Sequence, residues 1–359
     1  MQLNSASLKS TEAPPSAAQR PVSPRWMRWL KRLLILLVGG LVFFVFGFVP
    51  YFLAGIATQR RFTLPDKENT EFVKSSFALP REDITLTTSD GVSISGWWIP
   101  AANPRGTVVL VHGLNRTRIE MAKKVEPLHA WGFNCVLIDL RHHGQSGGDR
   151  TAFGLTEQLD VRAATDFAFT KFPGPVVLWG VSLGGATVTL AAASDPRVAG
   201  VITDSSYDSL PNTIRHHVRL FRSFAWFLKP IPPWPTSEIV LFWIRQRGGF
   251  DPADVDVLAA ASKLHGRPTL FVANRGDVRI PFAIAEEMTK LAGPGSHMLL
   301  TESKSHGGAW RDAHDSYQAA VKSLMDEVAP PAPIVETAMS KVGSPPKVAS
   351  KNAPERTHP

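Results

Sequence analysis

A single cysteine, Cys135, stands in the 359 residues, so no intramolecular disulfide braces the fold and the redox compartment is left open. It lies in the apolar run Phe133-Asn134-Cys135-Val136-Leu137-Ile138, where a small buried hydrophobe is the expected role. Acidic residues are scarce at both ends. Residues 1–61 hold eight Lys/Arg and one acid, Glu12, and residues 330–359 hold four against two; of a net charge of +8, the middle 62–329 therefore carries −1. A near-neutral middle between basic flanks lacks the basic surface of a nucleic-acid binder and argues against that class. Bulky apolar side chains are nearly missing from 1–25 and 329–359, which are predicted to be disordered, the basic N-terminal segment extending to residue 30. The folded part is then expected over 70–328, the size of one large α/β domain. No internal repeat is visible.

Charge is also absent from Leu33 to Ala57, where most positions are Leu, Ile, Val, Phe or Gly. At about 1.5 Å per residue such a run exceeds a hydrocarbon core of about 30 Å. Trp26 and Trp29 before it and Tyr51 near its end suit the two interfacial belts. The expectation is an uncleaved signal anchor over 31–57. A cleaved signal peptide is the rival, with Gly55-Ile56-Ala57 as a passable cleavage site. Arg20, Arg25, Arg28, Lys31 and Arg32 precede the span and Arg60, Arg61 and Lys67 follow it. The larger cluster favours a cytoplasmic N-terminus and a catalytic domain outside the cytoplasm.

Beyond residue 80, short β-branched runs alternate with longer amphipathic stretches, the pattern of a sheet covered by helices. Ile84 to Thr88 and Val92 to Ile99 flank Ser89-Asp90-Gly91, a hairpin signal. Strands are then expected at Thr107–Val111, Asn134–Ile138, Val176–Trp179, Val198–Ile202, Thr269–Ala273 and His297–Leu300. Helices are expected at Ile119–Trp131, Thr156–Lys171, Leu183–Ala193, Ala283–Leu291 and Trp310–Val328. This gives a mostly parallel sheet of about eight strands. Residues 206–266 break the alternation: they carry Phe221, Phe224, Trp226, Phe227, Trp234, Phe242 and Trp243, interrupted by Pro230, Pro232, Pro233 and Pro235. An inserted helical lid is expected there. Its aromatics could line a greasy pocket, rest on a bilayer, or pack the lid onto the core.

Gly180-Val181-Ser182-Leu183-Gly184 lies between a strand and a helix of small residues. A sharp turn there exposes Ser182 at the sheet edge, and the flanking glycines let strand and helix approach. The amide of Leu183, at the helix N-terminus, faces a developing oxyanion. A serine hydroxyl needs a base, and the base an orienting acid. His306, in the loop before the last helix, is the candidate base; His297 and His314 fall within a strand and a helix. Asp277, past the strand ending at Ala273, is the candidate acid, and Asp204, at the end of the preceding strand, is its rival. The loop His112-Gly113-Leu114-Asn115 offers the amide of Leu114 as second oxyanion donor, with His112 shaping the loop. His142-His143 invites a metal reading, but no Cys or carboxylate spacing supports one.

Together, the His112-Gly113 loop, the Asp139-Leu140-Arg141-x-His143-Gly144-x-Ser146 turn, the serine elbow and the placements of Asp277 and His306 resemble the α/β-hydrolase superfamily over roughly 80–328. They look most like membrane-anchored hydrolases near the serine aminopeptidase and prolyl-oligopeptidase groups, which include esterases and acyl-thioesterases. The resemblance implies an α/β-hydrolase fold with eight strands, an inserted lid and acyl transfer without cofactor or metal. His142 departs from it, standing where Gly is common, and is expected to narrow the pocket rim. The main functional expectation is hydrolysis of an ester or thioester of a lipidic or membrane-near acyl substrate, through Ser182, His306 and Asp277. The alternatives are a serine peptidase of aminopeptidase type and a non-catalytic scaffold that keeps the fold.

Overall fold

The computed structural model describes residues 24–59, 63–224, 226 and 229–331. The expectations placed on 1–23, Arg60, Arg61, Phe227 and 332–359 lie outside those residues.

A helix runs from Arg25 to Gln59, long and apolar enough to cross a membrane. It comprises α1 (Arg25–Phe43), a π turn at Phe44–Phe48 and α2 (Val49–Gln59). Arg25 to Leu30, expected to be disordered, form its first turns, because Trp26, Met27, Trp29 and Leu30 extend the apolar helix without a breaker. After α3 (Lys67–Ser75) comes the hairpin β1 (Glu82–Thr87) and β2 (Ser93–Ile99). Next are β3 (Gly106–Val111), a 3-10 segment at Arg118–Lys124, α4 (Val125–Ala130) and β4 (Phe133–Ile138). The helix expected over Ile119–Trp131 is thus two pieces: Pro127 has no N–H to continue a helix begun upstream and is tolerated only within the first turn of α4.

The remaining alternation is α5 (Gln158–Lys171), β5 (Val176–Val181), α6 (Leu183–Ser194) and β6 (Val198–Asp204). An insertion follows with α7 (Leu210–Ser223), α8 (Pro233–Gly248) and α9 (Val257–Ala261). The chain closes through β7 (Thr269–Asn274), α10 (Ala283–Ala292), β8 (Ser296–Thr301), α11 (Ala309–Asp312) and α12 (His314–Val328). Ala313, at φ −135° and ψ 42°, divides the helix expected over Trp310–Val328.

The strands form one eight-stranded sheet in the order β1-β2-β4-β3-β5-β6-β7-β8. Only β2 runs against its neighbours; the pairs from β4 to β8 are parallel. β3, β4, β5 and β7 are buried at every position, as parallel strands covered on both faces must be. Cys135 is among them, fully buried, and burial pushes its thiol up and away from reactivity. Val109, Val136, Leu178, Ala186 and Val201 belong to one core layer and Leu110, Leu137, Trp179, Tyr317 and Met325 to the other. The register leaves the C-terminal ends of β3, β5, β6 and β7 at one edge, where this architecture holds its chemistry.

The insertion is not a lid throughout. Val255, Val257, Ala261 and Leu264 are buried in the core, so the segment from Val255 to Leu264 is part of the body. α7 and α8 are anchored to the body through Leu210, Val240 and Ile244, which belong to the same core layer. Packing accounts for Trp243, which lies against that core, and not for Phe221, Phe224, Trp234 and Phe242, which are exposed.

Candidate active site

The turn after β5 carries Ser182 at φ 54° and ψ −113°, a backbone conformation that costs a non-glycine residue of order 1–3 kcal/mol. Two things hold it there. Ser182 N–H donates to the Asp204 carbonyl at the end of β6 (2.8 Å), and the backbones pack without room for side chains. A Cβ at Gly180 would overlap the Gly184 backbone, and one at Gly184 would overlap Val111 and His112. The motif's glycines are therefore set by strand-to-helix contact. Leu183 opens α6, so its N–H has no intrahelical acceptor.

His306 meets Ser182 and Asp277 through its two ring nitrogens. Nε2 lies 2.8 Å from Ser182 Oγ, and Nδ1 lies 2.7 Å from Asp277 Oδ2. A carboxylate only accepts, so Nδ1 carries the proton and the Nε2 lone pair accepts the serine O–H. The other carboxylate oxygen, Oδ1, accepts the amides of Arg279 (2.9 Å) and Ile280 (3.1 Å). Burial raises the Asp277 carboxyl, but the hydrogen bond from His306 and those two amides outweigh it and hold the group below its ordinary value. Asp277 is thus an anion with both oxygens engaged.

Asp204 takes a different place. It is fully buried and accepts hydrogen bonds from Ser205 Oγ (2.9 Å) and Tyr317 OH (3.1 Å). Burial raises its carboxyl against the pull of Lys124. The structure brings Asp277, and not Asp204, to His306. Asp204 instead anchors α12 to β6 through Tyr317.

On the far side of Ser182 lies the loop after β3. Leu140 N–H donates to His112 Nε2 (3.0 Å), so Nδ1 is protonated and donates to the Gly113 carbonyl (2.7 Å). Burial, with His143 nearby, pulls His112 down to about 3, leaving it a neutral brace for the loop. Gly113 N–H donates to Glu120 Oε2 (2.7 Å), so that amide is engaged, and Leu114, the next residue, lines the cavity.

Two residues absent from the sequence expectations bind this site together. Glu120 holds the Gly113 loop, and burial raises its carboxyl. Ser205, at φ 54°, accepts through Oγ from Gly307 N–H (3.2 Å) and Asn274 Nδ2 (3.1 Å), tying the histidine loop to β6 and β7. A half-buried carboxylate in a helical stretch and a serine past a strand carry no pattern of their own.

Ser182, His306 and Leu114 line one cavity of about 390 Å³. Its wall is charged: Lys67, Arg116, Lys123, Lys124, Arg279 and Arg311 face Asp66, Glu68 and Glu120. None of the exposed aromatics of α7 and α8 lines it. His142 does not line it either, against the expectation of a narrowed rim; it is buried at φ 63°, the region where glycine is at ease.

Comparison with known proteins bears on the fold. A family model described as serine aminopeptidase S33 matches residues 102–272, and one described as TAP-like protein matches 251–336. YqkD of Bacillus subtilis is 24% identical over 261 residues, covering 71% of this chain and 80% of that protein. The polyketide transferase grgF of a Penicillium species is 30% identical over 130 residues, 34% of this chain and 44% of its own length. Among solved structures, an esterase of Pyrococcus furiosus superposes with a TM-score of 0.61 at 21% identity, over 76% of this chain and 98% of that one. The sheet order, the strand-to-helix turn at Ser182 and these matches place the chain in the α/β-hydrolase superfamily.

Proposed function

We propose that the chain is a serine hydrolase acting on an ester or thioester. The reading rests on the hydrogen-bonded series Ser182–His306–Asp277, and a hydrolytic or acyl-transfer role accords with the named relatives. Ser182 Oγ attacks the acyl carbonyl while His306 Nε2 takes its proton, and Asp277 stabilises the resulting imidazolium. The amides of Leu183 and Leu114 receive the negative charge on the carbonyl oxygen. Collapse expels the alcohol or thiol, which leaves with the proton from His306, and an acyl-Ser182 ester remains. Water, deprotonated by the same imidazole, then releases the acid and restores Ser182.

The expectation of a lipidic or membrane-near substrate leaned on the anchor helix and on the insertion's aromatics, and the exposed ones of α7 and α8 do not line the cavity. Its six cations outnumber its three acids, which favours a polar acyl compound bearing negative charge. A second reading, a peptidase of aminopeptidase type, is favoured by the S33 description of the family model. The cavity's acids are engaged, Asp66 with Asn69, Glu68 with Lys123 and Glu120 with Gly113. Of its cations, Lys123, Arg116 and Arg311 are paired in turn with Glu68, Glu120 and Asp312, so the preference for an anion over an amine rests on the excess of cations. Release of p-nitrophenol from succinyl-type esters, faster than from neutral esters and without release from aminoacyl anilides, is the expected screen. Release from anilides alone would sink the esterase reading.

The Arg25–Gln59 helix we read as a retained anchor with the N-terminus cytoplasmic. Cleavage after Ala57 would strip Ala54 from the core and cut the chain beside Thr58, which is fully buried and whose carbonyl accepts Thr151 N–H (2.9 Å). These contacts favour a retained helix over a disposable leader. Reporter fusions after residue 62 test the orientation; signal from a cytoplasmic reporter would reverse it.

A further inference from the structure

The insertion helices α7 and α8 form a hairpin whose base and tip face different surroundings. At the base, His216 Nε2 on α7 hydrogen-bonds the Val278 carbonyl (2.8 Å), next to Asp277. Toward the tip, Phe224 and Trp234 are 71% and 75% exposed. Large aromatics do not stay in water at such exposure without a partner surface.

The packing of α8 against α2 says which way the tip points. Tyr51 meets Trp243 edge-on, with ring centroids 5.0 Å apart. Further along both helices, Gln59 Nε2 donates to the Arg247 carbonyl (2.9 Å), and Gly248 lies against Thr58. Residue numbers rise together in the two helices, so they run parallel. The start of α8 therefore extends back along the apolar helix past Tyr51, and α8 also touches the π turn at Phe44–Phe48. From Trp243 back to Pro235 is about 12 Å of helix at about 1.5 Å per residue.

Tyr51 marks a level. Its ring carries the Arg247 guanidinium at 4.3 Å, and a tyrosine beside a cation belongs among lipid headgroups. Everything on α8 before Trp243 then lies on the membrane side of that level, beside the exposed Phe44, Phe48 and Phe52. The charge agrees. Arg215 is paired with Glu238 on α8 (2.8 Å), and nearer the tip Arg219, Arg222 and Lys229 have no acid between them in the sequence, the complement of anionic lipid headgroups.

We propose that the α7–α8 hairpin is a second membrane element, its aromatic tip set into the lipid interface beside the anchor helix. This rests on the reading of Arg25–Gln59 as a membrane span. It gives the exposed aromatics an occupant and fixes the hydrolase body at two points. The catalytic cavity then faces the interfacial water from the base of the hairpin, about 20 Å above the tip along the 14 residues of α7.

Full-length protein in vesicles of phosphatidylcholine with phosphatidylglycerol tests this. Single cysteines at Phe224, Trp234, Leu36 and Ser316 would each be labelled with an environment-sensitive fluorophore; Cys135 is buried, and unsubstituted protein measures its background. Ser316 is on α12, on the other face of the sheet. The labels at Phe224→Cys and Trp234→Cys are expected to shift to the blue and lose most of their emission to lipids with shallow nitroxides. Leu36→Cys is expected to be quenched by deep nitroxides and Ser316→Cys by neither. Quenching at Leu36 with none at Phe224 and Trp234 would overturn the hairpin proposal and leave the anchor standing. No quenching at Leu36 would overturn the anchor reading itself.

Discussion

His306 and Asp277 are joined across 29 residues by a hydrogen bond of 2.7 Å, while Asp204, at the end of the neighbouring strand, is turned away toward Tyr317. The two acids therefore have separable roles. Asp277→Asn is expected to lower kcat by about 10⁴-fold, because an amide cannot hold the imidazole in the required tautomer. Asp204→Asn is expected to retain most of the activity and to lower the melting temperature, since it weakens the tie to α12. Steady-state kinetics with thermal denaturation of both variants checks the pair; the reverse ranking would make Asp204 the acid.

The state of Asp277 also links stability to pH. Its folded carboxyl titrates below the ordinary value, so the unfolded chain binds its proton first as pH falls. The stabilisation is fully present above the unfolded pKa, about 3.9, and is lost as pH drops through the lower folded value. Asp277→Asn is expected to flatten the acid limb of melting temperature against pH and to leave its slope above pH 5 unchanged. Calorimetry across pH 2–7 reads this directly.

Glu120 never touches the serine, yet it holds Gly113 N–H and so sets the amide of Leu114. Glu120→Ala is expected to reduce kcat by about 10²-fold with little change in KM, the effect of a small misplacement of a reacting geometry. Glu120→Gln keeps a carbonyl acceptor and is expected to restore most of that loss. Equal defects in both variants would assign Glu120 a role through its charge.

Ser182, Asp277 and His306 were legible because each follows a strand in a fixed order, and the sheet brings strand ends together whatever the loops contain. Glu120 and Ser205 were not, since a supporting hydrogen bond depends on loop geometry rather than on residue spacing. The aromatics of α7 and α8 were visible as a cluster, but their exposure was not. Which way an insertion faces depends on its packing partner, here α2, more than 180 residues away in the chain.

Backbone contact at the elbow makes a further prediction. A methyl group at Gly184 would strike the Val111 and His112 carbonyls, which belong to β3 and its loop and cannot yield without moving the oxyanion donor. Gly184→Ala is expected to cost about 1–3 kcal/mol or more of stability together with most of the activity. A well-folded, active Gly184→Ala enzyme in urea denaturation and ester assays would contradict the contact.

The proposed acyl transfer requires Ser182 to be a nucleophile activated by His306. Labelling of the full-length protein with a fluorophosphonate probe is the most direct measurement. Wild type and Asp204→Asn are predicted to be labelled, Ser182→Ala not at all, and His306→Ala only marginally. Labelling that persists in Ser182→Ala, or a folded wild-type protein that takes no label, would contradict it and leave a hydrolase fold serving as a scaffold.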